Sequence, residues 1–518
     1  MRSAPRRLTG WAVAAALALA LAGCTSSPPS PAGTASPPVS PSTATGSGGG
    51  STTDLARFYD QSIGWSGCGG SFECGTLNVP LDYAATDADS LQLALIRLPA
   101  TDPDRRIGSL VLNPGGPGGS GVGYVRAARA IIDPSVREVY DIVGFDPRGV
   151  AGSDPVECVD DQQTDDLLSE DGTPDDPAEV AALANLGQAF ATGCATRSAA
   201  LYPHIGTVDV ARDVDVLRGA LGDETLNWFG SSYGTFIGAT YADLFPTRVG
   251  RMVLDGAIDP TLTNASLARG QAGGFELALR RFVADCDAVD SCPLPAGVEP
   301  GMARIRQFFA DLDAAPITNT GGRPLTQALA MNAVLYLLYF PPTDWAELRA
   351  GLRAAFGGDG SVLLNQLDAR LSRSKDGHYQ DNSIDALVAV NALDHTDRPG
   401  PDQIAALGAK WAKALPTWGE FFAWANLPYH YWQAPPTLQP HRVSAPGSPP
   451  ILVVGTTYDP ATPYPWAKSL ARQLSQGVLL TRVGDGHTGY GMGSTCTDQA
   501  VDTFLVDGTP PPDGTVCR

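Results

Sequence analysis

Ser232 lies in Gly230-Ser231-Ser232-Tyr233-Gly234, the one Gly-x-Ser-x-Gly run of the chain. It falls between a strand-like stretch (TLNWFG, 225–230) and one in which Phe236, Ile237, Thr240, Tyr241 and Leu244 recur at helical spacing. A serine on so tight a strand-to-helix turn presents its hydroxyl at the helix N-terminus, where free N–H groups and the helix dipole favour developing negative charge. The flanking glycines permit this, since side chains beside the serine would collide at the corner. Ser231 is one position off the pattern and is expected to face the packing side. A serine hydroxyl is a poor nucleophile without a base. Of the six histidines, His487 lies in the Gly-rich GDGHTGYG after the last long expected strand. His204, His378, His395, His430 and His441 fall in loops or helical stretches, with His395 and His430 as candidates to line a pocket. The base in turn needs a carboxylate to fix its tautomer and stabilise the imidazolium. Asp459 in VVGTTYDPATPY follows the penultimate expected strand. Asp485 is the rival in sequence, but from two residues away in a turn it reaches the far ring nitrogen poorly.

Such chemistry is acyl transfer, and it needs donors for the oxyanion. NPGGPGGSG (113–121) follows an expected strand, and its glycines can turn N–H groups toward a substrate oxygen with no side chain in the way. The expected donors are the backbone amides of Gly116 and Tyr233. A phosphate-binding loop is the competing reading, but the Gly-Lys-Ser/Thr ending is missing. No Cys-x-x-Cys or His-Glu-x-x-His spacing occurs, so neither a metal nor another cofactor is expected.

The elements that must position these residues alternate. Runs at 91–100, 108–116, 139–149, 225–230, 250–260, 449–460 and 477–491 read as strands ending in turns, with helical patterns between them. That alternation predicts an α/β fold with a mostly parallel sheet. From about 262 to 445 the pattern is helical, as in FELALRRFVADC, MARIRQFFADLD and DWAELRAGLRAAF. AVLYLLYF in this block is too short to span a membrane and reads as a core or cap helix. A helical block interrupting a sheet that later resumes predicts a lidded enzyme. The order Ser232, Asp459, His487 is that of the α/β-hydrolase fold. The expected division is 54–261 and 446–518 for the hydrolase core and 262–445 for a helical cap between the strands carrying nucleophile and acid.

The first residues are expected to lie outside the fold. Arg2, Arg6 and Arg7 precede the apolar WAVAAALALALAG, and LAGC resembles a bacterial lipobox, giving a signal peptide over 1–23 and a lipid-carrying Cys24. Arg6-Arg7 leaves twin-arginine export open. Residues 24–53 are Ser, Thr, Pro and Gly with no apolar periodicity, a tether from a membrane anchor. The net charge of −20 excludes a nucleic-acid surface and favours cationic ligands such as free amino termini. Setting Cys24 aside, eight of the nine cysteines remain. Eight admit about 105 connectivities. Local closure favours Cys68–Cys74 and Cys286–Cys292, with Cys158–Cys194 and Cys496–Cys517 following by neighbourhood.

NPGGPGGSG, GFDPRGVAGSDP, GSSYGT, TTYDPATPY and GDGHTGYG together resemble the secreted tripeptidyl-aminopeptidase branch of the α/β-hydrolases, related to the prolyl iminopeptidases. The resemblance runs from about residue 60 to the end. It implies Ser232, Asp459 and His487 as the triad, residues 114–118 as the oxyanion loop, and Asp146 and Arg148 as braces for loops. It also implies that cap carboxylates hold the substrate's free amino group, with Asp394 and Glu420 as candidates. Two family cysteines of the cap are replaced by Ala392 and Tyr429, which leaves substrate size more open than reaction class. The expected function is a lipid-anchored or secreted extracytoplasmic serine exopeptidase releasing short peptides, tripeptides foremost, from free N-termini of peptides or proteins. An esterase or lipase, an envelope endopeptidase and a non-catalytic binding lipoprotein are the alternatives.

Overall fold

The computed structural model describes residues 52–319 and 322–518. The expected signal peptide, Cys24 and nearly all of the expected tether lie outside the described residues; a helix already begins at Thr52. The strands are Ser66–Gly67 (β1), Glu73–Pro80 (β2), Ser90–Leu98 (β3), Gly108–Asn113 (β4), Tyr140–Phe145 (β5), Leu226–Ser231 (β6), Val249–Asp255 (β7), Ile451–Tyr458 (β8), Gly477–Asp485 (β9) and Thr515–Cys517 (β10). They form one sheet in the order β1-β2-β3-β5-β4-β6-β7-β8-β9-β10. β1, β2, β3 and β5 pair antiparallel in turn. From β5 across to β10 every pairing is parallel. This is the α/β-hydrolase fold.

Alternation along the central strands shows why both faces are covered. Val111, Val143, Trp228, Met252, Leu254, Ile451 and Val453 join one buried cluster. Their neighbours Leu110, Leu112, Ile142, Phe229, Val253, Leu452 and Val454 join another on the opposite face. The carboxyl ends of these parallel strands therefore share one edge, where ligands of open α/β sheets bind.

Between β7 and β8 the described residues form nine helices, from Asn264–Asp287 to Leu427–His430. Gln327–Tyr336, which carries part of the apolar run noted above, is buried at all ten positions. A helix apolar on every side belongs inside protein, and no described helix is long and apolar enough to cross a membrane. Two core-side helices, Asp161–Ser169 and Pro177–Arg197, are absent from the sequence reading. Both open on capping boxes, Asp160 with Gln163 and Asp176 with Glu179. Their Leu168 and Leu183 join the hydrophobic cluster of the insertion. Conversely, Ala386, Val388, Val390 and Leu393 of the inserted helix Ser383–Asp394 pack into the core cluster, together with Ala392 and Tyr429. Ala392 and Tyr429 are thus part of buried apolar packing.

Candidate active site

β6 delivers the nucleophile candidate. Ser232 has φ 55° and ψ −125° and leads directly into the helix Tyr233–Leu244. A positive φ is strained for a residue with a side chain. Tight surroundings hold it there. A Cβ on Gly230 would lie 2.3 Å from Gly234 O and 2.4 Å from Trp228 Nε1. One on Gly234 would lie 2.7 Å from Asn113 O, at the end of β4. The Ser232 amide donates to Asp255 O at 2.8 Å, pinning the turn to the end of β7. Ser231 is buried, and its side chain lies against the Tyr124 hydroxyl, whose pKa burial pushes up to about 12.

β8 and β9 deliver the other two. His487 Nδ1 lies 2.9 and 3.0 Å from the two oxygens of Asp459. Asp459 also accepts from the amides of Ala461, Thr462 and Thr488 and from the Thr462 hydroxyl, all at 2.8–3.0 Å. A carboxylate with this many donors is held in one orientation. His487 and Asp459 are 5% and 3% exposed, so water competes little for their bond. The rival Asp485 is engaged elsewhere, in a paired contact with the Arg281 guanidinium. His487 Cε1 would lie 3.3 Å from a Cβ on Gly256, the residue after the Asp255 that anchors Ser232.

The loop after β4 adds the donors. Its Gly115 amide is spent on Asn113 Oδ1 at 2.9 Å. The Gly116 and Tyr233 amides have no acceptor within the described residues. A Cβ on Gly115 would lie 2.8 Å from Tyr233 N and 2.9 Å from Ser232 Cβ, so only glycine lets the loop close on the nucleophile. The site thus holds a strained serine, an Asp-oriented imidazole and two free amides at one sheet edge.

Comparison with known proteins identifies the family. A family model described as "TAP-like protein" matches residues 415–517. The chain is 37% identical to the serine protease Hip1 of Mycobacterium tuberculosis over 99% of this chain and 98% of that protein. The chain belongs to the TAP-like branch of the α/β-hydrolases. It is 35% identical to carboxylesterase B of M. tuberculosis, over 86% of each chain. To the tripeptidyl aminopeptidase of Streptomyces coelicolor it is 30% identical, over 89% of this chain and 86% of that one. Among solved structures, a proline iminopeptidase from Mycobacterium smegmatis aligns with TM-score 0.36 and 17% identity, over 83% of this chain and 98% of that chain. This TAP-like chain is a serine hydrolase.

The two remaining family signatures of this hydrolase brace it. Asp146 accepts from Ser120 Oγ at 2.5 Å, Val122 N at 3.1 Å and Gly152 N at 3.0 Å, tying the oxyanion loop to the turn after β5. Arg148 is wholly buried, donating through Nε and Nη2 to Asp213, through Nη2 also to the Pro80 carbonyl, and through Nη1 to the Leu81 and His204 carbonyls.

One amine-binding candidate needs correcting. Asp394 is 1% exposed, and Thr207 occupies both its oxygens, through its amide at 2.8 Å and its hydroxyl at 2.5 Å. Burial pushes its carboxyl up to about 7. At that burial neither oxygen is open to a substrate. Glu420 is half-buried and makes no ion pair or hydrogen bond among the described residues. Of the other histidines, His378 and His441 pair with Asp161 and Asp243 at the surface. His430 is exposed, with its ring against Tyr431. His395 is buried, stacked on Phe236, and bonds Asn391 O at 3.1 Å. His204 is partly buried and serves Arg148 through its carbonyl.

Sequence reasoning missed Asp255 and Tyr339. Asp255 accepts from the amides of Gly489 and Tyr490 at 2.8 and 2.9 Å, so one residue holds both Ser232 and the His487 loop. Its signal was an acid closing an apolar strand. Tyr339 reaches in from the insertion: its carbonyl takes the His487 amide at 2.8 Å, and its ring meets the imidazole edge-on at 5.3 Å. Nothing local in the sequence marks it.

Proposed function

We propose that this enzyme is a serine peptidase that releases short peptides, tripeptides foremost, from free N-termini through an acyl-enzyme on Ser232. Asp459 holds the proton on His487 Nδ1, leaving Nε2 basic. As Ser232 Oγ attacks the scissile carbonyl, Nε2 takes its proton. The Gly116 and Tyr233 amides stabilise the resulting oxyanion. His487 then gives the proton to the leaving amine, and water repeats the sequence to free the peptide. The observation that carries this reading is the double contact of His487 Nδ1 with a fully bonded Asp459, at the same sheet edge as a strained Ser232.

The peptidase reading is supported by the relative named a serine protease, and the exopeptidase assignment by the one named a tripeptidyl aminopeptidase. We assign the free amino group to Glu420. Burial raises its carboxyl, and Asp175 adds negative potential. A charged amine entering there would restore a charge pair. The four disulfides Cys68–Cys74, Cys158–Cys194, Cys286–Cys292 and Cys496–Cys517 suit an extracytoplasmic protein. We place it there, tethered through a lipid on Cys24 or secreted. A carboxylesterase is the second reading, favoured by the relative of that name.

The test is purified protein on matched chromogenic tripeptides with free or acetylated N-termini, beside p-nitrophenyl butyrate. Cleavage of free peptides alone, weakened in Glu420→Gln through KM, is the expected result. Equal cleavage of blocked peptides, or of the ester alone, overturns the exopeptidase reading.

A further inference from the structure

Three buried side chains run from the helical insertion to the residue after Ser232. Tyr233, Thr207 and Asp394 are 5%, 0% and 1% exposed. The Tyr233 hydroxyl bonds Thr207 Oγ1 and lies 3.5 Å from Asp394 Oδ2. Thr207 Oγ1 lies 2.5 Å from that same Asp394 oxygen, and the Thr207 amide donates to the other at 2.8 Å. Thr207 opens the core helix Thr207–Ala220, whereas Asp394 closes the inserted helix Ser383–Asp394. The line therefore crosses from the insertion to the catalytic elbow.

We propose that Asp394 and Thr207 are positioning residues of the oxyanion site: by fixing the Tyr233 phenol they fix the direction of the Tyr233 amide. The inference rests on the reading that Ser232 is the nucleophile and that this amide holds the oxyanion. It gives the insertion a grip on chemistry that is separate from any contact with substrate.

The direction of the hydrogen bonds gives the device its force. Above about pH 7, where Asp394 is ionised, Tyr233 donates to Thr207 and Thr207 donates to Asp394, so every proton has an acceptor. A neutral donor at Asp394 reverses the Thr207 hydroxyl, and Tyr233 loses its acceptor in a buried site. A buried donor without an acceptor is expensive and drives a shift of the group carrying it. Tyr233 is the first residue of its helix, so movement of its ring is passed to an amide that no intrahelical bond restrains. A carboxylate is also well placed here, at the N-terminus of the Thr207 helix. Asp209 on that helix, paired with Arg212 at 2.9 Å, is the other acid within electrostatic reach.

The experiment measures kcat and KM on p-nitrophenyl butyrate well above neutral pH, where Asp394 is ionised, per active site titrated by a fluorophosphonate at Ser232. The variants are Asp394→Asn, Thr207→Val, Thr207→Ser and Tyr233→Phe, with Asp394→Asn also in the Phe background. Removing one oxyanion donor outright costs about 10²–10³ in kcat. Misdirecting one is expected to lower kcat about 10-fold in Asp394→Asn and Thr207→Val, with KM nearly unchanged and Thr207→Ser close to wild type. In the Phe background Asp394→Asn should add nothing, because the route through the phenol is already cut. A full loss persisting in that background, an active Thr207→Val, or a change confined to KM would overturn the proposal. Wild-type protein that does not label at Ser232 would instead overturn the nucleophile assignment on which it rests. Should Asp394→Asn fail to fold, the Thr207 pair against Tyr233→Phe decides alone.

Discussion

The sheet edge and the inserted helices differ in how fully they pair their buried polar groups. At the edge, Asp459 has five different donors, Asp255 two amides and Arg148 four partner residues. In the insertion, Trp345, Trp418, Trp424 and Trp432 bury indole N–H groups without a partner, as do Asn332 and Asn426 with their side-chain oxygens. Among the described residues, Asn113 and Ser448 are the two such cases outside 262–445. What holds the insertion is ring packing: Phe275 touches Tyr339, Trp418 and Phe422 at centroid distances of 5.6–6.1 Å. The lesson is a division of labour. Charged groups at the sheet edge sit in a saturated network, while apolar contacts, which are not directional, build much of the insertion.

That contrast can be broken most sharply at Asp459. Asp459→Asn keeps the shape but presents an amide to Nδ1, and the wrong tautomer costs on the order of 10⁴ in kcat. A backbone amide also loses its acceptor, so a stability cost of about 1–3 kcal/mol accompanies it. If kcat on an ester substrate falls less than about 100-fold, the network is scaffolding and not machinery.

Phe275→Ala should do the reverse. Loss of a fully buried ring costs about 3–5 kcal/mol. Denaturant unfolding should show that loss while kcat on the small ester stays within about tenfold of wild type. A catalytic collapse without a stability change would erase the distinction between the two regions.

pH sharpens the comparison at the seam between them. Asp385 of helix Ser383–Asp394 accepts the Cys158 amide at 2.8 Å, and burial pushes its carboxyl up to about 7. The unfolded chain loses that proton near the ordinary value of 3.8, so between there and about 7 the native state binds more protons. Its contribution to stability accordingly falls as pH rises through that window and levels off above it. Asp385→Asn should flatten the fall in thermal melts from pH 5 to 7; an unchanged slope assigns the effect elsewhere.

The smallest effect is expected at Arg281, where the insertion meets Asp485 and lies 3.7 Å from the Tyr458 ring centroid. The pair is partly exposed, so Arg281→Met should cost no more than about 1 kcal/mol. It should appear as a severalfold rise in KM for peptides, with kcat on the ester preserved. A larger fall in that kcat would put Arg281 inside the saturated network.

Legibility in the sequence followed the same divide. The parallel strands, the elbow and the choice of Asp459 over Asp485 could be read because a strand-to-helix serine needs Gly230 and Gly234. Position along the chain also placed Asp459 and His487 at strand ends. Asp255 could not, since its two partners lie more than 200 residues away. Tyr339 and Asp394 act through contacts between separate elements, where a residue's type says little about what it meets. Asp394 was read as a substrate-facing carboxylate because sequence does not reveal that Thr207 fills it. The helices Asp161–Ser169 and Pro177–Arg197 carried legible capping boxes, but not the fact that their leucines would pack into the insertion's cluster.

The most direct measurement is peptide mapping by mass spectrometry after reaction with a fluorophosphonate. The account predicts a single adduct on Ser232, absent in Ser232→Ala and formed far more slowly in His487→Ala. An adduct on Ser231, or equal labelling without His487, would contradict it.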